Sequence, residues 1–219
     1  FDRAGSTHAA ACCPCPDPRC FVRNIATDFK DRSLVGVVFL CPCRRVGILG
    51  LGELGRVCAK GLTNLNFPVS GWSRSAKSID GVSCLHGDDG LEQILRTSDI
   101  LVLLLPATKA TENILNAKRI AMLPKGAVII NPGRGPLIDD VALLAALDRG
   151  HLAHATLDVF RVEPLPNDDP YWSHPKVTVT PHIASDTRPD TAAKVIAENI
   201  RRGEAQEPFL HLVDKKAGY

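Results

Sequence analysis

The sequence has no strong excess of charge of either sign and no block of basic residues. Its 26 lysine and arginine residues exceed its 24 aspartate and glutamate residues by only two. Proteins that bind nucleic acid or an anionic membrane surface through charge usually carry a basic face or segment. The sequence therefore gives no indication of a nucleic-acid or membrane partner.

Long hydrophobic runs are also missing. The longest, ILVLLLPA from Ile100, is far shorter than the roughly 20 apolar residues that a membrane-spanning helix needs. A run of this length is typical of a buried strand. No apolar signal-peptide core follows a basic start, so no membrane-inserted segment is predicted.

Cysteine is scarce after the first 43 residues. Six of the eight cysteines lie within residues 1–43, and only Cys58 and Cys84 lie in the remainder, which is typical of a reduced, cytoplasmic protein. Cys12 and Cys15 have the spacing of one zinc-ligand pair, but no second pair with this spacing follows. The favoured interpretation of residues 1–43 is an irregular leader, with a structural zinc site as the alternative, and no metal ligand is assigned.

Strand-like and helix-like segments alternate from Arg44 onward. Six strands are predicted, in RVGILG from Arg45, FPVSGW from Phe67, DILVLLL from Asp99, AVIINP from Ala127, HATLDVF from His154 and KVTVTPH from Lys176. Helices are predicted at Glu53–Leu65, in DDVALLAALDRG from Asp139, and in a last amphipathic segment whose apolar side holds Ala192, Val195, Ile196 and Ile200. Apolar runs separated by helices predict the α/β class, as a Rossmann-like doubly wound parallel sheet.

The segment GLGELG places three glycines between the first predicted strand and the first predicted helix. Gly50 allows a tight turn, Gly52 lets the backbone approach a pyrophosphate, and Gly55 lets the helix pack closely on the strand. The helix then points its positive end at the phosphates. A GxGxxG pattern alone is common, but with a strand before it and a helix after it the pattern predicts dinucleotide binding.

The second predicted strand ends without the carboxylate that NAD enzymes place there for the ribose hydroxyls. It continues instead into Trp72, Ser73, Arg74 and Ser75, and no Asp or Glu follows before Asp80. This tip offers a stacking ring, hydroxyls and a guanidinium, which suit a 2′-phosphate. A solvated polar loop is the alternative, but the missing acid favours NADP(H) over NAD(H).

Four motifs occur in the order found in the D-2-hydroxyacid dehydrogenases: VGILGLGELG from Val46, INPGRGPLID from Ile130, ATLDVFRVEPLP from Ala155 and VTVTPHIAS from Val177. The chain from Arg44 to Tyr219 resembles this family. Its FPVSGWSRS, DPYWSHP and LVDKKAGY segments are most similar to the glyoxylate/hydroxypyruvate reductases within the family. The resemblance implies homodimers that use a nicotinamide cofactor to reduce a small 2-oxo acid to a D-2-hydroxy acid.

The resemblance also implies roles for single residues. Arg134 matches the arginine that holds the substrate carboxylate, His182 the proton donor, and Glu163 the partner that orients the imidazole. Asp158 matches a residue near the nicotinamide. The implied cofactor-binding residues are Gly50, Gly52, Glu53, Leu54, Gly55, Trp72, Ser73, Arg74, Ser75, Leu105, Pro106, Pro132, Gly133, Arg134, Asp158, His182 and Ala184.

Each catalytic candidate has a plainer interpretation. Arg134 could be a surface charge, Glu163 a loop residue and His182 a core histidine. All three follow separate predicted strands, however, and the carboxyl ends of strands are where an open α/β sheet binds its ligand. Their placement favours the functional interpretation.

The first 43 residues do not match the substrate domain with which chains of this family begin. We expect an irregular leader over residues 1–43, a dinucleotide-binding domain over 44–187, and a crossover helix with a tail over 188–219. Without a complete substrate domain, the tail should leave Phe209, Leu210, Leu212 and Val213 partly exposed. A non-catalytic NADP-binding module and a relative with another 2-hydroxy acid substrate remain the alternatives to a reductase.

Overall fold

The computed structural model describes residues 44–185 and 187–213. The leader predicted for residues 1–43, with its zinc alternative, lies outside the described residues, as does the end of the tail from residue 214. Across the described ranges, no helix is both long enough and apolar enough to cross a bilayer.

Seven strands of the described residues form one sheet, with buried aliphatic side chains in its central strands. These are β1 (Val46–Leu49), β2 (Val69–Ser73), β3 (Ser83–His86), β4 (Ile100–Leu103), β5 (Ala127–Asn131), β6 (Leu152–Leu157) and β7 (Val177–Val179). They lie in the order β3-β2-β1-β4-β5-β6-β7, and every neighbouring pair is parallel. The prediction of a Rossmann-like doubly wound parallel sheet is confirmed.

The described residues contain seven strands, one more than the six predicted. The missed strand, β3, pairs with β2 at the edge of the sheet, where Ser70 lies opposite Ser83. None of its four residues is fully buried, and both end residues are exposed. An edge strand of this kind carries no apolar run, so its sequence lacks the signal by which the other strands were predicted.

The described residues contain five α-helices: α1 (Glu53–Asn64), α2 (Gly87–Thr97), α3 (Ala117–Ile120), α4 (Asp140–Asp148) and α5 (Pro189–Glu204). The first four lie between strands, and α5 follows β7. The predicted helix at Glu53–Leu65, the one from Asp139 and the last amphipathic one correspond to α1, α4 and α5. Asp139 starts α4 as its N-cap, because its carboxylate accepts the Ala142 N–H at 3.1 Å.

Alternate residues of the central strands enter two hydrophobic clusters. In β4, Leu101 and Leu103 belong to the larger cluster and Val102 to the smaller one. The alternation arises because successive side chains of a strand point to opposite faces of the sheet. Ala59 of α1 packs in the smaller cluster and Ile94 of α2 in the larger, so helices cover both faces.

The last helix is less well covered than its sequence pattern predicted. None of the residues of α5, all of which are described, is buried. On its predicted apolar side Ala192 and Val195 are partly buried, but Ile196 and Ile200 are 60% and 59% exposed. The helix is therefore amphipathic in sequence, but the described residues cover its apolar side only in part.

The chain after α5 folds back along that helix. Asn199 anchors it, since its amide donates to the Leu210 carbonyl at 3.2 Å and accepts the Leu210 N–H at 2.7 Å. Leu210 is partly buried, whereas Phe209, Leu212 and Val213 are exposed, as predicted. The tail is thus attached to α5 through its backbone more than through its apolar side chains.

Two glycines of α1 allow a matched test of helix–strand packing. A Cβ built on Gly55 would lie 1.9 Å from the Gly50 carbonyl oxygen, whereas one built on Gly61 meets no described atom beyond its own helix within 4 Å. We expect Gly55→Ala to lower the free energy of unfolding by about 1–3 kcal/mol or more through overpacking. Gly61→Ala should raise it by about 0.5–1 kcal/mol through helix propensity. Urea unfolding measures both, and equal stabilities for the two variants would contradict this account of the packing.

Candidate functional site

The strand order reverses direction between β1 and β4, at the centre of the sheet. The chain runs outward from β1 through β2 to β3 and then crosses back to β4. Open α/β sheets bind ligands at such a reversal, outside the carboxyl ends of the strands. A cavity of about 800 Å³ lies here, lined by residues at or after the carboxyl ends of β1, β2, β3 and β4.

The glycine turn forms one wall of this cavity. Gly50 has φ 109°, and a Cβ there would lie 2.5 Å from the Leu104 carbonyl oxygen, so the fold itself requires glycine. Gly52 differs, because a Cβ built on it meets no described atom within 4 Å. No side chain caps the start of α1 at Gly52 in the described structure. The Gly50 N–H donates to the Trp72 carbonyl at 2.8 Å. The N–H groups of the first turn of α1, which no side chain caps, are therefore the donors that this positive helix end offers to an anion.

Positive side chains outnumber negative ones around the cavity. Arg74 and Lys77 line it beyond β2, and Lys109 lines it from the loop that follows β4. Asp88, in the first turn of α2, is the single carboxylate among the lining residues. The sequence has no acidic residue at the end of β2, as noted above, but Asp88 of α2 lies at the cavity in the folded chain. The balance still favours a ligand with several negative charges.

Trp72 does not have the free ring that its sequence position predicted. The side chain is only 9% exposed and packs in the larger hydrophobic cluster, and its indole N–H donates to the Gly87 carbonyl at 2.8 Å. Ser73 is also buried and donates its hydroxyl to the Ser75 carbonyl at 2.7 Å. Both residues form the cavity wall, so the structure gives the Trp72 ring a packing role, and its contact with a cofactor stays a prediction.

The predicted cofactor residues fall into three groups. Eight of them line the cavity: Gly50, Gly52, Trp72, Ser73, Arg74, Ser75, Leu105 and Pro106. Glu53, Leu54 and Gly55 lie in the first turn of α1, where Leu54 is 63% exposed and Gly55 is buried. The remaining six follow β5, β6 and β7 and do not line the cavity: Pro132, Gly133, Arg134, Asp158, His182 and Ala184.

Asn131, the last residue of β5, organises the turn that carries Arg134. Its side chain is 1% exposed, accepts the Gly133 N–H at 3.1 Å and donates to the Arg134 carbonyl at 3.0 Å. Arg134 itself is exposed, and its guanidinium donates to the Gly133 carbonyl at 2.6 Å. The buried amide therefore fixes the backbone from which the exposed guanidinium projects.

Glu163 and His182 form a hydrogen-bonded pair. The Glu163 carboxylate accepts the Phe160 N–H at 2.9 Å with one oxygen and lies 2.8 Å from His182 Nδ1 with the other. The Phe160 N–H, the His182 ring and the charge of Arg134 together hold the pKa of Glu163 below its usual range. An ionised carboxylate only accepts hydrogen bonds, so Nδ1 carries the proton. Nε2 is then the ring nitrogen that remains for a substrate.

Asp158 holds the loop in which His182 lies. Its carboxylate is 4% exposed and accepts the Thr180 hydroxyl at 2.6 Å and the N–H groups of Ile183 and Ala184, both at 2.9 Å. Burial by itself would raise the pKa of Asp158, but these three donors together lower it. His182 has φ 54°, an uncommon left-handed conformation that needs such support. A direct contact between Asp158 and a cofactor stays a prediction, and the structure adds this positioning role.

Several residues of the site were missed from the sequence. Thr108, Lys109 and Thr111 line the cavity from the loop after β4, and a polar loop after a buried strand was a signal that pointed to them. Asn131 was visible as a polar residue that ends an apolar strand. In the described ranges, no cluster of three His, Cys, Asp or Glu residues offers a metal site.

Comparison with known proteins gives matches to a family model, to curated proteins and to solved structures. The family model for the NAD-binding domain of D-isomer specific 2-hydroxyacid dehydrogenases matches residues 38–184. A glyoxylate/hydroxypyruvate reductase A from Photorhabdus laumondii is 45% identical over 174 residues, which are 80% of this chain and 56% of the relative. The chain thus spans little more than half the length of such curated relatives.

Two solved structures have the same fold. A D-isomer specific 2-hydroxyacid dehydrogenase from Xanthobacter autotrophicus Py2, in complex with NADPH and MES, is 53% identical with a TM-score of 0.78, over 80% of this chain and 73% of that one. An NADPH-dependent glyoxylate/hydroxypyruvate reductase from Sinorhizobium meliloti, in complex with NADP and sulfate, is 40% identical with a TM-score of 0.77, over 80% and 57%.

The lowered pKa of Glu163 predicts a pH-dependent contribution to stability. An ionised group whose pKa is lowered on folding stabilises the fold above its ordinary pKa, and this contribution is lost as the pH falls through the lowered value. We therefore expect Glu163→Gln to lower the free energy of unfolding most strongly near neutral pH. The decrease should become smaller as the pH falls below about 4.3. Urea unfolding of both proteins over this range measures the difference. A difference that grows on acidification would contradict the assignment.

Proposed function

Because the chain belongs to the family of D-isomer-specific 2-hydroxyacid dehydrogenases, we propose that it binds NADP(H) and reduces a small 2-oxo acid, such as glyoxylate or hydroxypyruvate, to the D-2-hydroxy acid. The observation that carries the proposal is the Glu163–His182 pair, with its 2.8 Å hydrogen bond, beside the Arg134 turn at the carboxyl edge of a dinucleotide-type sheet. Residues 44–187 act as the cofactor-binding domain, and α5 with the tail forms the crossover.

The cavity at the strand reversal fits the phosphates and ribose of NADP(H). Gly52 and the uncapped start of α1 offer backbone N–H groups to the pyrophosphate. Arg74 and Lys77 supply positive charge beyond β2, where a 2′-phosphate would lie. The Xanthobacter relative, at 53% identity, was solved with NADPH, which supports the same preference in this chain.

The catalytic residues suit reduction of a carbonyl group. The reduced cofactor, when bound, supplies a hydride to the carbonyl carbon. The electron pair of the C=O double bond then moves to the oxygen, which takes a proton from His182 Nε2. Arg134 holds the substrate carboxylate with its forked donors and stabilises the charge that develops on the oxygen. Glu163 keeps the imidazole oriented through its bond to Nδ1, so Nε2 is the ring nitrogen that carries the transferred proton.

The cofactor preference is tested by binding. We expect the protein to bind NADPH more tightly than NADH, and Arg74→Ala to lose most of that preference. One charge-assisted hydrogen bond contributes about 1.5–3 kcal/mol, so the loss should be roughly tenfold or more. Fluorescence titration at fixed salt measures both affinities. Lys60→Ala, exposed on α1 and outside the cavity lining, is the control and should keep the preference. Equal affinities of the unaltered protein for NADPH and NADH would remove the NADP assignment.

The catalytic assignment is tested by NADPH-dependent reduction of glyoxylate and hydroxypyruvate. Arg134→Ala, Glu163→Ala and His182→Ala should each lower the rate, by about 10²–10⁴-fold for the proton donor, while NADPH affinity stays nearly unchanged. His154→Ala is the control, because His154 lies on β6 and bonds Thr178 at 2.9 Å outside the site.

Two results would change the proposal. A full rate in His182→Ala over about pH 6–8, where histidine titrates, would remove His182 as the proton donor. Tight NADPH binding with no turnover of any 2-oxo acid would favour the alternative, a non-catalytic NADP-binding module. The half-exposed His182 side chain is the observation that keeps this alternative open.

A further inference from the structure

Arg161 is a charged residue close to the catalytic pair that the proposed reaction does not use. It lies two positions before Glu163 and next to Phe160, whose N–H bonds the Glu163 carboxylate. Its side chain is only 32% exposed. A guanidinium held this far out of water normally has several partners, and those of Arg161 come from segments far away in the sequence.

The guanidinium of Arg161 joins the loops that follow three different strands. Nη2 donates to the Ile138 carbonyl at 2.6 Å and to the Asn113 side-chain oxygen. Nε lies 3.1 Å from a carboxylate oxygen of Asp140, and Nη1 lies 3.7 Å from Glu112. Glu112 and Asn113 belong to the loop after β4, Ile138 and Asp140 to the segment after β5, and Arg161 itself to the loop after β6.

The backbone beneath Arg161 already ties these loops together. Asn113 N–H donates to the Pro136 carbonyl at 2.9 Å, and Leu115 N–H donates to the Leu137 carbonyl at 3.0 Å. A Cβ built on Gly135 would lie 2.0 Å from the Phe160 carbonyl carbon, so the turn after Arg134 packs directly on the segment before Glu163. The loop after β4 lines the cavity with residues between Thr108 and Ile114. This loop therefore packs as one unit with the loops that carry Arg134 and Glu163.

We propose that Arg161 is a positioning residue, which locks the loops that carry Arg134 and Glu163 to the wall of the cofactor cavity. This role rests on the proposed function, because it concerns the placement of catalytic side chains relative to a bound cofactor. Small displacements of such groups lower the rate strongly. None of the partners of Arg161 named above belongs to the glycine turn. Loss of Arg161 should therefore affect turnover far more than NADPH affinity.

The test combines kinetics with a spectroscopic readout that needs no activity. We expect Arg161→Ala to lower kcat for 2-oxo acid reduction by about tenfold or more, with NADPH affinity nearly unchanged. In the folded variant, the ¹⁵N signals of the His182 ring, assigned with His182→Gln, should move from the Nδ1–H tautomer toward a mixture, because Glu163 no longer holds a fixed position. Arg96→Ala, which removes an exposed ion pair with Glu92 on α2, is the matched control and should leave both readouts unchanged.

The two readouts separate this proposal from the proposed function. A folded Arg161→Ala protein with the wild-type tautomer and rate would overturn the positioning role alone. If the wild-type protein shows no reductase activity but the tautomer signal still shifts in Arg161→Ala, the positioning role stands and the reductase function fails. If Arg161→Ala does not fold, Arg161→Lys is measured in the same way, since lysine keeps the charge beside Asp140 but not the forked donation. A wild-type tautomer signal in that variant would also overturn the proposal.

Discussion

The parallel direction of all seven strands is the constraint on which the site depends. Because every strand runs the same way, every carboxyl end lies at one edge of the sheet. The loops after β1, β2 and β4 therefore meet around the cavity, and those after β5, β6 and β7 bring Arg134, Glu163 and His182 to the same edge. A single antiparallel strand in this series would send the next loop to the opposite edge and separate the two halves of the site.

Short buried polar side chains turn this common edge into a defined geometry. Asn131 ends β5 and Asp158 follows β6. Each forms hydrogen bonds with backbone groups of the turn that carries a catalytic candidate. A buried carboxylate or amide is costly unless it is hydrogen-bonded, so these residues stabilise only the loop conformation that supplies their partners. The hydrogen bonds of Asp158 stabilise the left-handed backbone of His182, and the His182 ring stays half-exposed.

The sequence predicted the parts of the molecule that have local signals. Apolar runs marked six strands and three glycines marked the turn, whereas β3 escaped because an edge strand needs little apolar surface. The ring of Trp72 was assigned from its place at a strand end, but its burial depends on α2, which packs over it only in the fold. Asp158 bonds Thr180 across 22 positions, and Arg161 reaches Asn113 across 48. Such partnerships leave no periodic pattern, so the roles of these two residues could be found only in three dimensions.

The two halves of the site differ in how much of their chemistry the described residues supply. The cofactor half has its backbone donors and cations in place around an existing cavity, so its binding energy is available without further closure. The catalytic half is open, with the His182 side chain 50% exposed and the neighbouring Ile183 67% exposed. Water weakens the Glu163–His182 interaction and solvates any charge that develops on a substrate, so this half gains most from a second wall that excludes solvent. Under the proposed function, the sheet edge would supply cofactor contacts from an existing cavity, whereas hydride transfer would gain from a surface that covers His182 and Ile183.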